Sequence, residues 1–271
     1  MPVPEVSDRP LAQLVSLQDR TAVVTGAARG LGRAIAARLA EAGARVIVGD
    51  LDAGGAAAAA AEIGARFGAD VVGLEMDVTD PASVRSVADA ARDRWGRLDA
   101  WVNNAGVFPA APLDRMPDAT WDLVLDVNAR GTLFGTREAA RVMSGTGSGG
   151  VVVNVVSTAG FRGSAPGLAA YVASKHAVRG LTRQSAVELA PRDIRVLGVA
   201  PGYVPTEGNL LAAGALPDGA LPDDAVPLMR MAPAGRIGTP DDIARVVLFC
   251  VSDLSAYMTG STLLVDGGDT A

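Results

Sequence analysis

Lys175 is the only lysine in a chain with 23 arginines, and His176 beside it is the only histidine. Arginine serves wherever else a cation is placed, so position 175 asks for something a guanidinium lacks. Tyr171, one of three tyrosines, stands four residues earlier in "YVASK". Residues at i and i+4 of a helix share a face. A phenol ordinarily ionises near pH ~10, so acid–base work near neutrality needs a fall of about three pH units, roughly 4 kcal/mol. A neighbouring cation acts with that sign. An ammonium is a compact donor on a flexible stem, whereas a guanidinium is broad and planar. Lysine can sit beneath the phenol and still donate to the hydroxyls of a ribose. His176 points elsewhere on the helix and reads as a satisfied or surface residue.

A second group of residues suits phosphate. "TGAARGLG" at 25–32 lies where an apolar run gives way to a helical pattern. Gly26, Gly30 and Gly32, with Arg29 and Leu31 among them, allow a tight turn and close backbone approach to a pyrophosphate at a helix N-terminus. Their spacing is G-x-x-x-G-x-G rather than G-x-G-x-x-G. Asp50 follows Gly32 by 18 residues. At the end of a second strand, with Leu51 next to it, Asp50 can bond both hydroxyls of an adenosine ribose and repel a 2′-phosphate. That favours NAD. Arg29, able to pair with such a phosphate, argues for NADP with less weight.

These residues need a frame that brings them to one edge. Apolar runs predict strands at 21–26, 45–50, 70–77, 98–106, 151–157, 194–202 and 261–268. Amphipathic stretches predict helices at 31–43, 54–67, 81–95, 117–143, 168–190 and 240–252, with a flexible "SGTGSGG" at 144–150. Valine-rich strands separated by helices imply a parallel sheet buried on both faces. Right-handed crossovers make it a doubly wound, Rossmann-type α/β fold of about seven strands. No interior linker divides the chain: residues 1–18 read as an N-terminal arm and 19–271 as a single domain. At 49% hydrophobic and 20% charged, 271 residues suffice for a well-buried core. A net charge of -6 opposes binding to nucleic acid or an anionic membrane. No run reaches the ~20 apolar residues of a membrane span. "MPVPEVSDRP" lacks the basic start and apolar stretch of a signal peptide, so a cytoplasmic protein is expected. Cys250, alone in an apolar helical pattern, reads as a buried thiol, and a single histidine leaves no metal-binding cluster.

In order along the chain, "TGAARGLG" (25–32), "NNAG" (103–106), Asn128, Ser157, "YVASK" (171–175), "PGYVPT" (201–206) and "VDGG" (265–268) resemble the short-chain dehydrogenase/reductase family. The resemblance implies NAD(P)-dependent hydride transfer between an alcohol and a carbonyl. Carried over by position, it makes Tyr171 the general acid/base and Lys175 the residue that lowers its pKa and binds the nicotinamide ribose. Ser157 would hold the substrate oxygen, and Asn128 would anchor a water linking Lys175 to solvent. Asp77 and Val78 would contact adenine, and Asn104, Ala105 and Gly106 would line the cofactor. Pro201, Gly202, Val204 and Thr206 would meet the carboxamide. The resemblance also implies a homotetramer, paired through the helices at 117–143 and 168–190 and through the last helix and strand. Val156 stands where many relatives carry another serine. The residues agree independently: a serine hydroxyl at the carboxyl edge of a parallel strand and a phenol can converge on one carbonyl oxygen. They would stabilise, then protonate, the charge that develops there.

Residues 203–236 form an irregular stretch as long as a lid or binding segment. Within it Leu210, Leu211, Leu228, Met229 and Met231 could cover an apolar substrate or simply pack, and Phe108 and Phe161 could line the mouth. A small-molecule substrate is expected, a hydrophobic or cyclic secondary alcohol or ketone. Two other readings stay open. One is an NADPH-dependent 3-oxoacyl-thioester reductase, disfavoured because an acidic carrier protein would want a basic surface. The other is a dinucleotide sensor without chemistry, disfavoured because a sensor needs the cradle but not the Ser–Tyr–Lys set.

Overall fold

Strands that are apolar at consecutive positions cannot leave one face in water. The computed structural model, which describes residues 5–147, 149–207 and 232–271, buries both faces. Its strands are β1 (Thr21–Thr25), β2 (Arg45–Asp50), β3 (Val71–Glu75), β4 (Ala100–Asn103), β5 (Gly150–Val155), β6 (Ile194–Pro201) and β7 (Thr262–Val265). They pair in parallel as one seven-stranded sheet in the order β3-β2-β1-β4-β5-β6-β7. The helices are α1 (Leu11–Val15), α2 (Gly30–Glu41), α3 (Ala53–Phe67), α4 (Pro81–Trp95), α5 (Asp118–Val124), α6 (Gly131–Thr146), α7 (Ala169–Leu189) and α8 (Pro240–Val251). Successive strand residues point to opposite faces. Val24, Val48 and Val153 pack beneath α2, α3 and α8, with Ile35, Ile63 and Val247. Their neighbours Val23, Ile47 and Val152 pack beneath α4, α6 and α7, with Val87, Met143 and Ala186.

Local chemistry starts the helices where the sequence expects them. Asp52 accepts from the Gly55 N–H at the start of α3, and Asp80 accepts from the Ala82 N–H just before Pro81 opens α4. Thr239 and Asp242 form a reciprocal capping box on α8. From β1 the chain runs outward through β2 to β3, then returns to place β4 on the other side of β1. The loops after β1 and β4 therefore diverge and leave a crevice at the carboxyl edge.

Three stretches differ from expectation. The helix at 117–143 is two helices, α5 and α6, joined by a wider π turn at Leu125–Arg130. The extra residue in that turn aims Asn128 at the loop after β4. The stretch at 144–150 is partly helical: α6 runs to Thr146 and stops at Gly147 in the left-handed region. The strand at 98–106 leaves the sheet after Asn103, because the Asn104 and Ala105 N–H groups bond Thr25 Oγ1, each at 3.0 Å, instead of a neighbouring strand. Leu17 is fully buried, and its N–H donates to the Ala42 carbonyl at 2.8 Å. Leu210, Leu211, Leu228, Met229 and Met231 lie outside the described residues. Among the described residues no helix is long and apolar enough to cross a membrane, and no group of three His, Cys, Asp or Glu could hold a metal. Cys250 is fully buried, which pushes its thiol up to about 12.

Candidate active site and dinucleotide cradle

The glycine turn closes because residue 26 has no side chain. Gly26 has φ 62, and a Cβ there would lie 2.8 Å from the Ala105 Cα. The β1 turn and the β4 loop thus meet backbone to backbone. Asn104 locks the meeting by donating from Nδ2 to the Thr25 and Gly26 carbonyls, both at 2.9 Å. Beyond the turn, α2 begins at Gly30 with Leu31 and Gly32 in its first turn. That turn carries no acid, and the Arg29 side chain does not cap it. Its N–H donors therefore remain available to an anion. Arg29 itself is exposed.

Asp50 stands at the end of β2 beside this turn. Its carboxylate accepts from the Ala28 N–H at 2.9 Å and from the Asp52 N–H at 3.1 Å. One oxygen braces the glycine turn, so the acid is fixed in direction. Leu51 next to it is 68% exposed and faces open space. Asp77 is folded into its own turn, with Oδ1 accepting from the Thr79 N–H and hydroxyl at 2.8 and 2.7 Å. Val78 packs against Gly131 at the start of α6. On the far side, Pro201 ends β6 and Gly202 bonds the Val265 carbonyl at 3.1 Å. Val204 is buried. Thr206 reaches back over the cradle, its Cβ 3.2 Å from where a Cβ on Gly30 would sit.

The acid–base residues gather on the other wall. Ser157 follows β5 and opens the turn Thr158–Gly160, its Oγ accepting from the Ala159 N–H at 3.1 Å. Tyr171 is in the first turn of α7, where the ring of Phe108 meets it edge-on at 5.9 Å between centroids. Lys175, 5% exposed, donates from Nζ to the Val155 carbonyl at 2.8 Å, and Nζ lies 5.6 Å from the centre of the Tyr171 ring. A Cβ on Gly106 would lie 3.3 Å from Asn128 Oδ1 and 3.7 Å from Lys175 Nζ, so the β4 loop, the π turn and α7 converge there.

Two details bear on the roles the resemblance implied. In the protein alone, burial raises the Tyr171 phenol above its ordinary value, and the Ser157 hydroxyl pulls it part of the way back. Lys175 lies toward the ring and the end of β5, and burial pushes it down to about 8. Desolvation outweighs the attraction of a cation at that distance. The Asn128 amide has both N–H donors occupied: Nδ2 donates to the Val107 carbonyl at 2.9 Å and to Ser174 Oγ at 3.0 Å. Its Oδ1 accepts from the Val107 N–H at 2.8 Å. The side chain is a brace between loop and helix.

That brace includes residues the sequence reading passed over. Ser174 is fully buried and donates to the Tyr171 carbonyl at 2.7 Å. Thr25 holds two N–H groups of the β4 loop. The available signal was a hydroxyl inside a helix beside Lys175 and another at a strand end, both types that bond nearby backbone. Phe161 packs on Val156, Val178 and Ala200. His176 is exposed, with Nδ1 2.9 Å from the Val172 carbonyl.

Known proteins resemble the chain along most of its length. A family model described as enoyl-(acyl carrier protein) reductase matches residues 26–270. Cis-4-hydroxycyclohexanecarboxylate dehydrogenase from Sinomonas cyclohexanicum is 41% identical over 93% of this chain and 97% of its own. D-threitol dehydrogenase from Mycolicibacterium smegmatis is 38% identical over 94% of each. The crystal structure of a short-chain type dehydrogenase/reductase from Mycobacterium marinum superposes with a TM-score of 0.89 and 34% identity, covering 96% of this chain and 98% of that one.

Proposed function

The chain belongs to the short-chain dehydrogenase/reductase family of oxidoreductases, and from that premise we propose that it interconverts a secondary alcohol and its ketone using NAD(H). The observation that carries the reading is the convergence of Lys175, Asn128 and the β4 loop on Gly106, with Tyr171 on the same helix and the glycine turn across the crevice.

The turn fits a dinucleotide, because the space a side chain on Gly26 would need is closed by Ala105 and the first turn of α2 is uncapped. Gly26, Arg29, Gly30, Leu31 and Gly32 would hold the pyrophosphate. Asp50 and Leu51 would take the adenosine ribose, and Asp77 and Val78 the adenine. Asn104, Ala105 and Gly106 would line the path to the nicotinamide, whose ribose would meet Tyr171 and Lys175. Pro201, Gly202, Val204 and Thr206 would meet its carboxamide. When bound, the nicotinamide supplies or accepts the hydride. In the reducing direction the Ser157 and Tyr171 hydroxyls both donate to the substrate oxygen, and those bonds strengthen as negative charge grows on it. Tyr171 then gives up its proton, and the Lys175 ammonium stabilises the phenolate left behind. In the oxidising direction Tyr171 takes the proton from the alcohol.

Asp50 supports NAD over NADP, since its carboxylate is held at the end of β2 by Ala28 and Asp52 and would repel a 2′-phosphate. Phe108, edge-on to Tyr171, gives the mouth an apolar wall suited to a hydrophobic or cyclic substrate. The relative acting on a hydroxycyclohexane acid agrees with it. The test follows reduced-nicotinamide absorbance over cyclic ketones, open polyols and 3-oxoacyl thioesters, with NAD(H) and NADP(H) in parallel and Tyr171→Phe as control. Turnover of cyclic substrates with NAD(H), lost in the control, is expected. Preference for NADP(H) with 3-oxoacyl thioesters would favour the thioester reductase instead. Tight cofactor binding with no turnover of any substrate would favour a sensor.

A further inference from the structure

Tyr171, Lys175 and Arg179 follow one another at i+4 steps along α7. Arginines elsewhere in this acid-rich chain commonly meet carboxylates, as Arg20 meets Asp253, Arg97 meets Asp99 and Arg141 meets Glu138. Arg179 meets no carboxylate among the described residues. Its guanidinium carbon lies 3.9 Å from the centre of the Phe161 ring. One terminal nitrogen is 3.5 Å from the Gly160 carbonyl, and Nε is buried with no hydrogen-bond partner among the described residues. A guanidinium this close to an aromatic centroid is attracted by the face of the ring.

Phe161 and Gly160 belong to the turn that Ser157 opens. The other side of Phe161 packs on Val156, Val178 and Ala200. A Cβ on Gly160 would lie 2.8 Å from the Lys175 carbonyl and 2.7 Å from Val156 Cγ1. The serine turn therefore rests directly on the α7 backbone at the catalytic lysine, and Arg179 closes over it from the next helical turn. We propose that Arg179 is a positioning residue: seated on Phe161, it clasps the Ser157 turn to α7 and fixes the serine hydroxyl against Tyr171. Gly160 sets how close the turn comes, and Arg179 keeps it there. Arg179 touches neither substrate nor cofactor. This proposal rests on the Ser–Tyr–Lys reading above, so its test includes a readout that needs no turnover.

The comparison is wild type, Arg179→Ala, Arg179→Lys and Ser157→Ala. Four quantities are measured on each: kcat and KM for a ketone, the Kd of the reduced cofactor, the Tm, and the ultraviolet titration of the phenols. The Ser157 hydroxyl opposes the upward shift of Tyr171, so losing its position moves that titration further up. Arg179→Ala is expected to lower kcat about tenfold or more and to raise the phenol titration in the same direction as Ser157→Ala. Cofactor Kd and Tm should stay near wild type. Arg179→Lys, which keeps a cation over the ring, should recover part of both effects. A kcat loss that only tracks a fallen Tm, or a phenol titration unmoved by Arg179→Ala, overturns the clasp. Absence of turnover in wild type would instead refute the oxidoreductase reading, and the phenol titration would still decide the clasp.

Discussion

Lys175 combines two demands that oppose each other. It must be charged to stabilise a phenolate, yet it is buried with one backbone carbonyl as hydrogen-bond acceptor, and that burial pushes it down to about 8. Unfolded, a lysine titrates near ~10.4. Below pH ~8 both states hold the proton, and folding bears the full cost of a buried charge. Between ~8 and ~10.4 the folded protein releases the proton first, so this residue's contribution to stability rises with pH. The urea midpoint of wild type relative to Lys175→Met should therefore move in favour of wild type from pH 8 to 10. A flat or falling difference would mean the ammonium is better solvated than its burial implies. Shape matters as much as charge. Lys175→Arg should lower kcat by about 100-fold or more with Tm near wild type, because a guanidinium cannot reach the Val155 carbonyl from the same stem without displacing the Tyr171 ring. Near-normal turnover in that variant would show that any cation suffices at this position.

The elements are held at fixed heights by buried polar groups as well as by apolar packing. Asn103 of β4 and Asn154 of β5 are partners in register. Trp101 Nε1 donates to Asn103 Oδ1 at 2.8 Å, Asn103 Nδ2 donates to Asn154 Oδ1 at 2.8 Å, and Asn154 Nδ2 donates to Thr182 Oγ1 on α7 at 3.0 Å. Asn103 Nδ2 also reaches Thr136 Oγ1 on α6 at 3.2 Å. Asn154→Leu would take one partner each from Asn103 Nδ2, which keeps Thr136 Oγ1, and from the Thr182 hydroxyl, which keeps the Val178 carbonyl, so urea unfolding should give a loss of about 1–3 kcal/mol. A loss below about 1 kcal/mol would mean the network adds no more than its methylenes. The seven strands, the glycine turn and the Tyr–Lys face were legible in the sequence because apolar runs, glycine spacing and the i+4 rule act locally. This network was not, since Asn154 is one polar residue inside "VVVNVVS", and only the pairing of β4 with β5 reveals its partner. The π turn at Asn128 escaped for the same reason. Helical periodicity runs through it, and only the distant Val107 backbone and Ser174 hydroxyl specify the extra residue.

At the scale of the whole molecule, a single chain leaves apolar side chains in water on the helices that flank the site. Leu133 on α6 is 43% exposed and Val187 on α7 is 71% exposed, with Trp121 and Leu123 on α5 nearby in sequence. At the other end Tyr257 is 93% exposed and Leu264 of β7 is 45% exposed. Scattered exposed apolar residues need no explanation, but contiguous ones favour association. A tetramer of dihedral symmetry needs two different self-complementary faces, and Leu133, Val187 and Leu264 lie on the elements through which the sequence resemblance placed its pairing. Light scattering after size exclusion should therefore give four times the mass of one chain. Leu133→Glu combined with Val187→Glu should reduce that to two or one while the far-ultraviolet spectrum stays unchanged, because neither side chain enters the core. Helix α7 also carries Tyr171 and Lys175 on another face, so the split species should lose kcat if assembly stiffens that helix and retain it if the network under Asn154 suffices. A wild-type monomer would remove the argument at its root.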